Sequence, residues 1–186
     1  MKFWTVQSSQ VIDIIQEKEI YQPSFNKSKY LEIIPDLNDL YSMLLYSFNF
    51  INHTNLPGIV FSFAKEENTK ITQIDTYEDF KSIIINNQHV IGGLWNVLKK
   101  RNNYIIEFNY SNEINPIHID INDFQFLMPP LTIGYPYTSN SIKRIQKILE
   151  TGEYSISELP SKIIQSHLPN IHKKDIINIY PISDFD

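Results

Sequence analysis

The sequence predicts a single α+β domain over 1–186, with a mixed, mostly antiparallel sheet and about five helices packed against it. Three observations carry that expectation. Asp36 to Ala64 joins the longest amphipathic helix pattern to a short apolar run rich in β-branched and aromatic residues. Tyr104 to Tyr110 and Ile117 to Ile121 both alternate strictly, and only Ser111 to Pro116 separate them, which suits an antiparallel pair. Helical patterns fall between the strand patterns, which excludes an all-β fold.

Taken in order, Phe3 to Gln7 reads as a strand with Phe3, Thr5 and Gln7 on one face and Trp4 and Val6 on the other. Ser8 or Ser9 caps a helix carrying Val11, Ile12, Ile14 and Ile15, which extends toward Ile20. Asp36 is placed as the N-cap of the next helix, and Leu37, Leu40, Tyr41, Leu44, Leu45, Phe48 and Ile51 form its apolar face. Pro57-Gly58 turns the chain into the strand Ile59 to Ala64. Lys65 to Asn68 reads as a charged turn and Ile71 to Ile74 as a short strand.

Thr76-Tyr77-Glu78-Asp79 has the form of a capping box, opening a helix with Phe80, Ile83 and Ile84 on its apolar face. Val90 to Lys100 is a further helix, weakened by Gly92-Gly93 at about 1 kcal/mol per glycine. In the strand Tyr104 to Tyr110, Ile106, Phe108 and Tyr110 share one face, and Ile105, Glu107 and Asn109 the other. Ser139 or Ser141 starts a late helix that Gly152 stops, Ser157 to Gln165 reads as a short helix, and Asp175 to Tyr180 as a final strand.

The composition bounds the function. A hydrophobic fraction of 42% and an aromatic fraction of 13% belong to a folded chain. A formal net charge of -5 disfavours a phosphate-backbone binder. The local run Lys99-Lys100-Arg101 has the ordinary explanation of cations at a helix C-terminus. The chain has no cysteine, so thiolate metal sites, disulfides and a cysteine nucleophile are excluded. The sequence shows no membrane span and no signal-peptide pattern, so the expected location is the cytoplasm. The abundance of Ile, Asn, Lys, Tyr and Phe, residues with AT-rich codons, points to a bacterial or phage source.

The chemical motifs are sparse. The sequence has no P-loop, no dinucleotide-binding glycine pattern and no nucleophile elbow. His118 and Asp120 fall on one strand face, where they can share a metal or form an oriented base, though spacing adds no further ligand. Glu107, between Ile106 and Phe108, lies either on the wet face of a half-buried sheet or in a cleft, where it would serve as a general base or stabilise a developing cation. Tyr135-Pro136-Tyr137, with Pro129-Pro130 nearby, forms an aromatic-proline stretch suited to covering a core edge or meeting a partner. No metal site or cofactor is assigned.

The opening Phe3-Trp4-Thr5-Val6-Gln7-Ser8, followed by Val11 to Ile20 and Tyr21-Gln22-Pro23-Ser24-Phe25, resembles the start of a bacterial family described as domain of unknown function 3841. Members of that family open with a Trp-Thr-x-Gln strand and a helix. The resemblance covers the first third of the chain, with an echo at Ile119 to Phe124, and it carries no activity to transfer. More distantly, the opening resembles the first strand and helix of ADP-ribosyltransferase-like folds. That resemblance implies Thr5 or Gln7 in contact with a nicotinamide dinucleotide and Glu107 as the catalytic glutamate. Strand one lacks the Arg or His of those enzymes, and no Glu-x-Glu or Gln-x-Glu precedes Glu107.

The expected function is therefore a noncatalytic protein-interaction module, acidic and rich in Tyr and Phe, whose partner is another protein. The alternative is a small ADP-ribosyltransferase-like enzyme using Thr5 or Gln7 and Glu107.

Overall fold

The structure is a computed structural model that describes residues 1–28, 31–32, 34–99, 103–111, 114–127 and 139–185, with the backbone alone at 125 and 126. The Pro129-Pro130 and Tyr135-Pro136-Tyr137 stretches, together with Lys100 and Arg101, lie outside the described residues. The domain is α+β, and every strand pairing described is antiparallel.

Strand β1 (Lys2–Ser8) lies inside the main sheet, between β3 (Val60–Glu67) and β5 (Asn103–Asn109). Beyond β3 come β7 (Ile163–Leu168) and then β6 (Ile117–Asp120) at one edge. Beyond β5 lies β9 (Ile176–Pro181) at the other edge, and β4 (Lys70–Thr72) forms a hairpin with the end of β3. A second sheet pairs β2 (Ile20–Tyr21) with β8 (Ile171–His172).

Alternation along these strands divides the apolar residues between two cores. The larger holds Trp4, Phe63, Ile105, Ile119 and Ile163 from the sheet. Packed on them are α2 (Asn38–Asn52), α3 (Tyr77–Asn86), α4 (Gln88–Lys99), α5 (Ile121–Leu127) and α6 (Ser139–Thr151), which contribute Leu44, Phe48, Phe80, Trp95, Phe124 and Ile148. The smaller core, on the opposite face, holds Phe3, Val60, Ala64, Ile106, Phe108, Ile164 and Leu168, covered by Val11 and Ile15 of α1 (Ser9–Lys18).

Several elements have the local chemistry the sequence announces. Thr76 caps α3: its hydroxyl oxygen accepts the backbone N–H of Asp79 at 3.1 Å. α6 ends at Gly152, whose φ of 73° suits glycine and whose N–H donates to Ile148 O at 2.8 Å. The two faces of β1 and β5 divide as their alternation predicts.

Others differ. Asp36 is not a cap; it sits in a 3-10 turn, Pro35–Leu37, and α2 begins at Asn38. The fixed φ of Pro35 favours that tight entry. α1 stops at Lys18 because Glu19 takes a left-handed conformation, φ 62°, and frees Ile20 to enter β2. Lys65 to Glu67 continue β3, and the turn is Asn68-Thr69, both with positive φ. β5 and β6 do not pair: β5 joins β1 and β9, whereas β6 joins β7.

The largest difference is Ser157 to Gln165, expected as a helix, where Ile163 to Leu168 is instead strand β7. All six of its residues are buried, so the strand lacks the polar-apolar alternation that marks a half-buried one.

Candidate functional site

Two places hold the residues singled out for chemistry, and a third surface has the features of a recognition site. The first is the β1–β5 pair. Trp4 lies opposite Glu107, and Thr5 opposite Ile106. Cross-strand partners share a face, so Glu107 projects on the side of Lys2, Trp4 and Val6. Thr5 and Gln7 project on the other side, and the sheet separates them from Glu107. Thr5 is fully buried and donates its hydroxyl to Phe61 O at 2.7 Å, while Gln7 Nε2 donates to Thr5 Oγ1 at 2.9 Å. The first bond ties β1 to β3 beside the Trp4↔Phe63 pair, and the second, within β1, holds the Thr5 hydroxyl in place.

Glu107 is 4% exposed, neither on a wet face nor open to a cleft. Its Oε1 pairs with Lys2 Nζ at 2.6 Å, and its Oε2 accepts from Asn178 Nδ2 at 2.8 Å and Tyr180 Oη at 3.3 Å. Burial, then the charge of Glu107, raises the Tyr180 phenol above its ordinary pKa. Tyr180 in turn stacks on Tyr77 with ring centroids 4.1 Å apart, so the carboxylate lies beside an aromatic wall. A carboxylate engaged by a cation and two neutral donors is built to hold strands together.

The second place is the β6–β7 edge. His118 and Asp120 share a face as their spacing predicts, and both turn inward. Asp120 is fully buried, and its two oxygens accept the backbone N–H groups of Asn122 and Ser161, each at 2.9 Å. Burial pushes its carboxyl up to about 6. His118 Nδ1 lies 2.7 Å from Ser166 Oγ, and its ring stacks on Phe3. Burial holds this imidazole down at about 4. On the opposite face His167, 1% exposed, contacts Gln165 Oε1 at 3.1 Å and is held down at about 3 by burial and then by His118. Among the described residues no group of three or more His, Cys, Asp or Glu is placed to hold a metal ion.

The third place was not nominated by the sequence reading. α2 and α6 lie side by side, pinned by the Ser47 hydroxyl donating to Leu149 O. Their outer surfaces leave a groove of about 410 Å³ whose walls include Met43, Tyr46 and Phe50 from α2 and Ile142 and Leu149 from α6. Tyr46 is 72% and Phe50 62% exposed, and their rings stack at 6.3 Å. Met43 and Ile142 are exposed as well. The one charged residue among its described walls is Glu150, which accepts from Gln146 Nε2 at 2.7 Å. Large apolar side chains grouped at the surface mark interaction sites far more often than isolated ones do. The signal was present in the sequence: Met43, Tyr46 and Phe50 recur at helical spacing beside the main apolar stripe of the same helix, giving α2 two faces to bury.

Comparison of the chain with protein-family models, curated proteins and solved structures found no match. Among the described residues no helix is long and apolar enough to cross a membrane.

Proposed function

We propose that this protein is a noncatalytic interaction module that receives an amphipathic helix of another protein in the α2–α6 groove. The observation that carries this reading is the exposed, stacked Tyr46–Phe50 pair flanked by Met43 and Ile142. Two helices side by side make a groove that a third helix fills by ridge-in-groove packing. α2, with 15 residues, is about 22 Å long and accommodates about four turns of a partner. Tyr and Phe supply large contact area with few rotatable bonds, as dominant interface residues do. Glu150 on the groove wall and the net charge of -5 favour a partner helix with Lys or Arg flanking its apolar stripe.

The enzyme alternative requires Thr5 or Gln7 and Glu107 to address one ligand. The two groups lie on opposite faces of the sheet, and each is engaged within the fold.

The test is selection of a displayed library of helical peptides on the immobilised protein, followed by affinity measurement on the winners. The expected winners share apolar residues at i, i+3, i+4 and i+7 and a flanking cation. Phe50→Ser with Tyr46→Ser weakens them at least about a hundredfold, and Glu150→Gln about threefold to tenfold. Selection without convergence, or winners unaffected by the paired substitution, overturns the reading. A concentration-dependent dimer lost in the same variant assigns the groove to a second copy instead.

A further inference from the structure

The opposite flank of α6 carries a cleft of contrary chemistry. It has a volume of about 560 Å³, with Lys143, Arg144 and Lys147 on the helix side and Ser155, Ser157 and Glu158 on the following segment. That size suits a small organic ligand.

The cations differ in how they are held. Arg144 is anchored from behind: its guanidinium pairs through both terminal nitrogens with Asp123, which is 1% exposed, and Ser157 Oγ donates to the same carboxylate at 3.0 Å. The Arg144 Nε is buried with no hydrogen-bond partner and is closed to a ligand, so the group acts on the cleft through its fixed positive charge. Lys147 pairs with Glu153 at 3.0 Å, but both side chains are more than half exposed, and such a pair is weak and readily exchanged. Lys143 is exposed and has no ion pair among the described residues. The cleft therefore offers two adaptable ammonium groups beside one oriented guanidinium, a combination suited to a tetrahedral dianion. Glu158, which accepts from the Ser141 hydroxyl, brings a carboxylate to the other wall. It repels a ligand that is anionic throughout and accepts from one that carries hydroxyl groups.

We infer that this cleft binds a small phosphomonoester of a polyol or sugar, its phosphate on Lys143, Lys147 and Arg144 and a hydroxyl on Glu158. The inference is independent of the groove, since Ile142, Ile145 and Leu149 face one flank of α6 and Lys143, Arg144 and Lys147 the other.

The experiment is isothermal titration of the full chain at constant ionic strength with three probes: inorganic phosphate, ribose 5-phosphate and ribose. Ribose 5-phosphate is expected to bind saturably, inorganic phosphate about tenfold more weakly, and ribose not at all. Lys143→Gln weakens both phosphate probes by about tenfold. Glu158→Gln gives a crossed result: weaker ribose 5-phosphate, but equal or tighter inorganic phosphate, because a repelling charge is gone while a hydroxyl acceptor is impaired. Phe50→Ser leaves all three unchanged. The inference fails if neither phosphate probe gives a saturable heat up to about 10 mM, if Lys143→Gln binds like the wild type, or if Glu158→Gln moves both phosphate probes in the same direction.

Discussion

Glu107 shows how much one side chain's role depends on what surrounds it. Its place between Ile106 and Phe108 is compatible with a wet sheet face, a catalytic cleft or a buried tie. The register selects the third, because Trp4 opposite it, Lys2 two residues earlier, and Asn178 and Tyr180 on β9 close over the carboxylate. Glu107→Gln keeps the shape but removes the charge that Lys2 needs. Lys2 is 18% exposed at its side chain and recovers part of its solvation, so the expected loss is about 1–3 kcal/mol, below that of a fully buried pair. Urea unfolding checks this; a change under about 0.3 kcal/mol would show that the pair is a bystander.

The buried ionisable groups of β6 and β7 set a pH dependence whose sign can be worked out. His118 and His167 stay neutral in the fold down to about 4 and 3, against an ordinary 6.5. Their contribution is complete above pH 6.5 and lost as pH falls toward 4, because the unfolded chain takes up both protons first. Asp120 acts oppositely. The folded chain keeps its proton up to about 6 and the unfolded chain only to 3.8, so its contribution falls as pH rises through that window. Between pH 4 and 6 two groups favour unfolding on acidification and one opposes it. From these three groups the net slope is about one proton, on the order of 1 kcal/mol lost per pH unit of acidification. His118→Asn removes one of the two and flattens the profile. Stability curves at several pH values read this directly, and an unchanged slope in the variant would refute the assignment.

At the scale of elements, the β3–β4 hairpin places Asn68 and Thr69 at φ 51° and 67°. Asn tolerates the left-handed region, whereas a β-branched Thr is strained there. Thr69→Gly is expected to stabilise the protein by about 0.5–1 kcal/mol, the relief of strain exceeding the added freedom of the unfolded chain. A lowered melting temperature would contradict it. This turn also marks the limit of what the sequence made legible. α2, α3, α6 and the faces of β1 and β5 were readable because local periodicity specifies them, with Thr76 capping α3 and Gly152 ending α6. The extent of β3 was not, because Lys65, Glu66 and Glu67 are charged like a turn, yet they pair with Thr72, Ile71 and Lys70. β7 was hidden because burial on both faces erases alternation, and its first residues, Ile163 to Gln165, read as the end of the helix expected from Ser157. The separation of Thr5 and Gln7 from Glu107 was not legible either: alternation shows which residues share a face within one strand, but only the register of β1 against β5 shows which faces coincide.

At the scale of the whole molecule, one sheet serves two cores, and its four inner strands β7, β3, β1 and β5 each supply buried residues to both. β1 gives Phe3 to the smaller and Trp4 to the larger; β5 gives Ile106 and Phe108 to one and Ile105 to the other; β7 gives Ile164 and Leu168 to one and Ile163 to the other. Neither core can lose its strands while the other keeps its own, so the two should melt as one cooperative unit. Both tryptophans, Trp4 and Trp95, lie in the larger core and report on it alone. Ile15 on α1 is fully buried in the smaller core, across the sheet from them. Ile15→Ala is expected to cost about 2–4 kcal/mol. Because the cores share their strands, the tryptophan-fluorescence transition in urea should move to lower denaturant by the same amount as the far-ultraviolet circular-dichroism transition. If α1 and its core form a separate unit, the circular-dichroism curve acquires an early step while the fluorescence midpoint stays at the wild-type value. Coincident curves would instead place the whole stability of the groove-bearing helices α2 and α6 under the control of residues on the far side of the sheet.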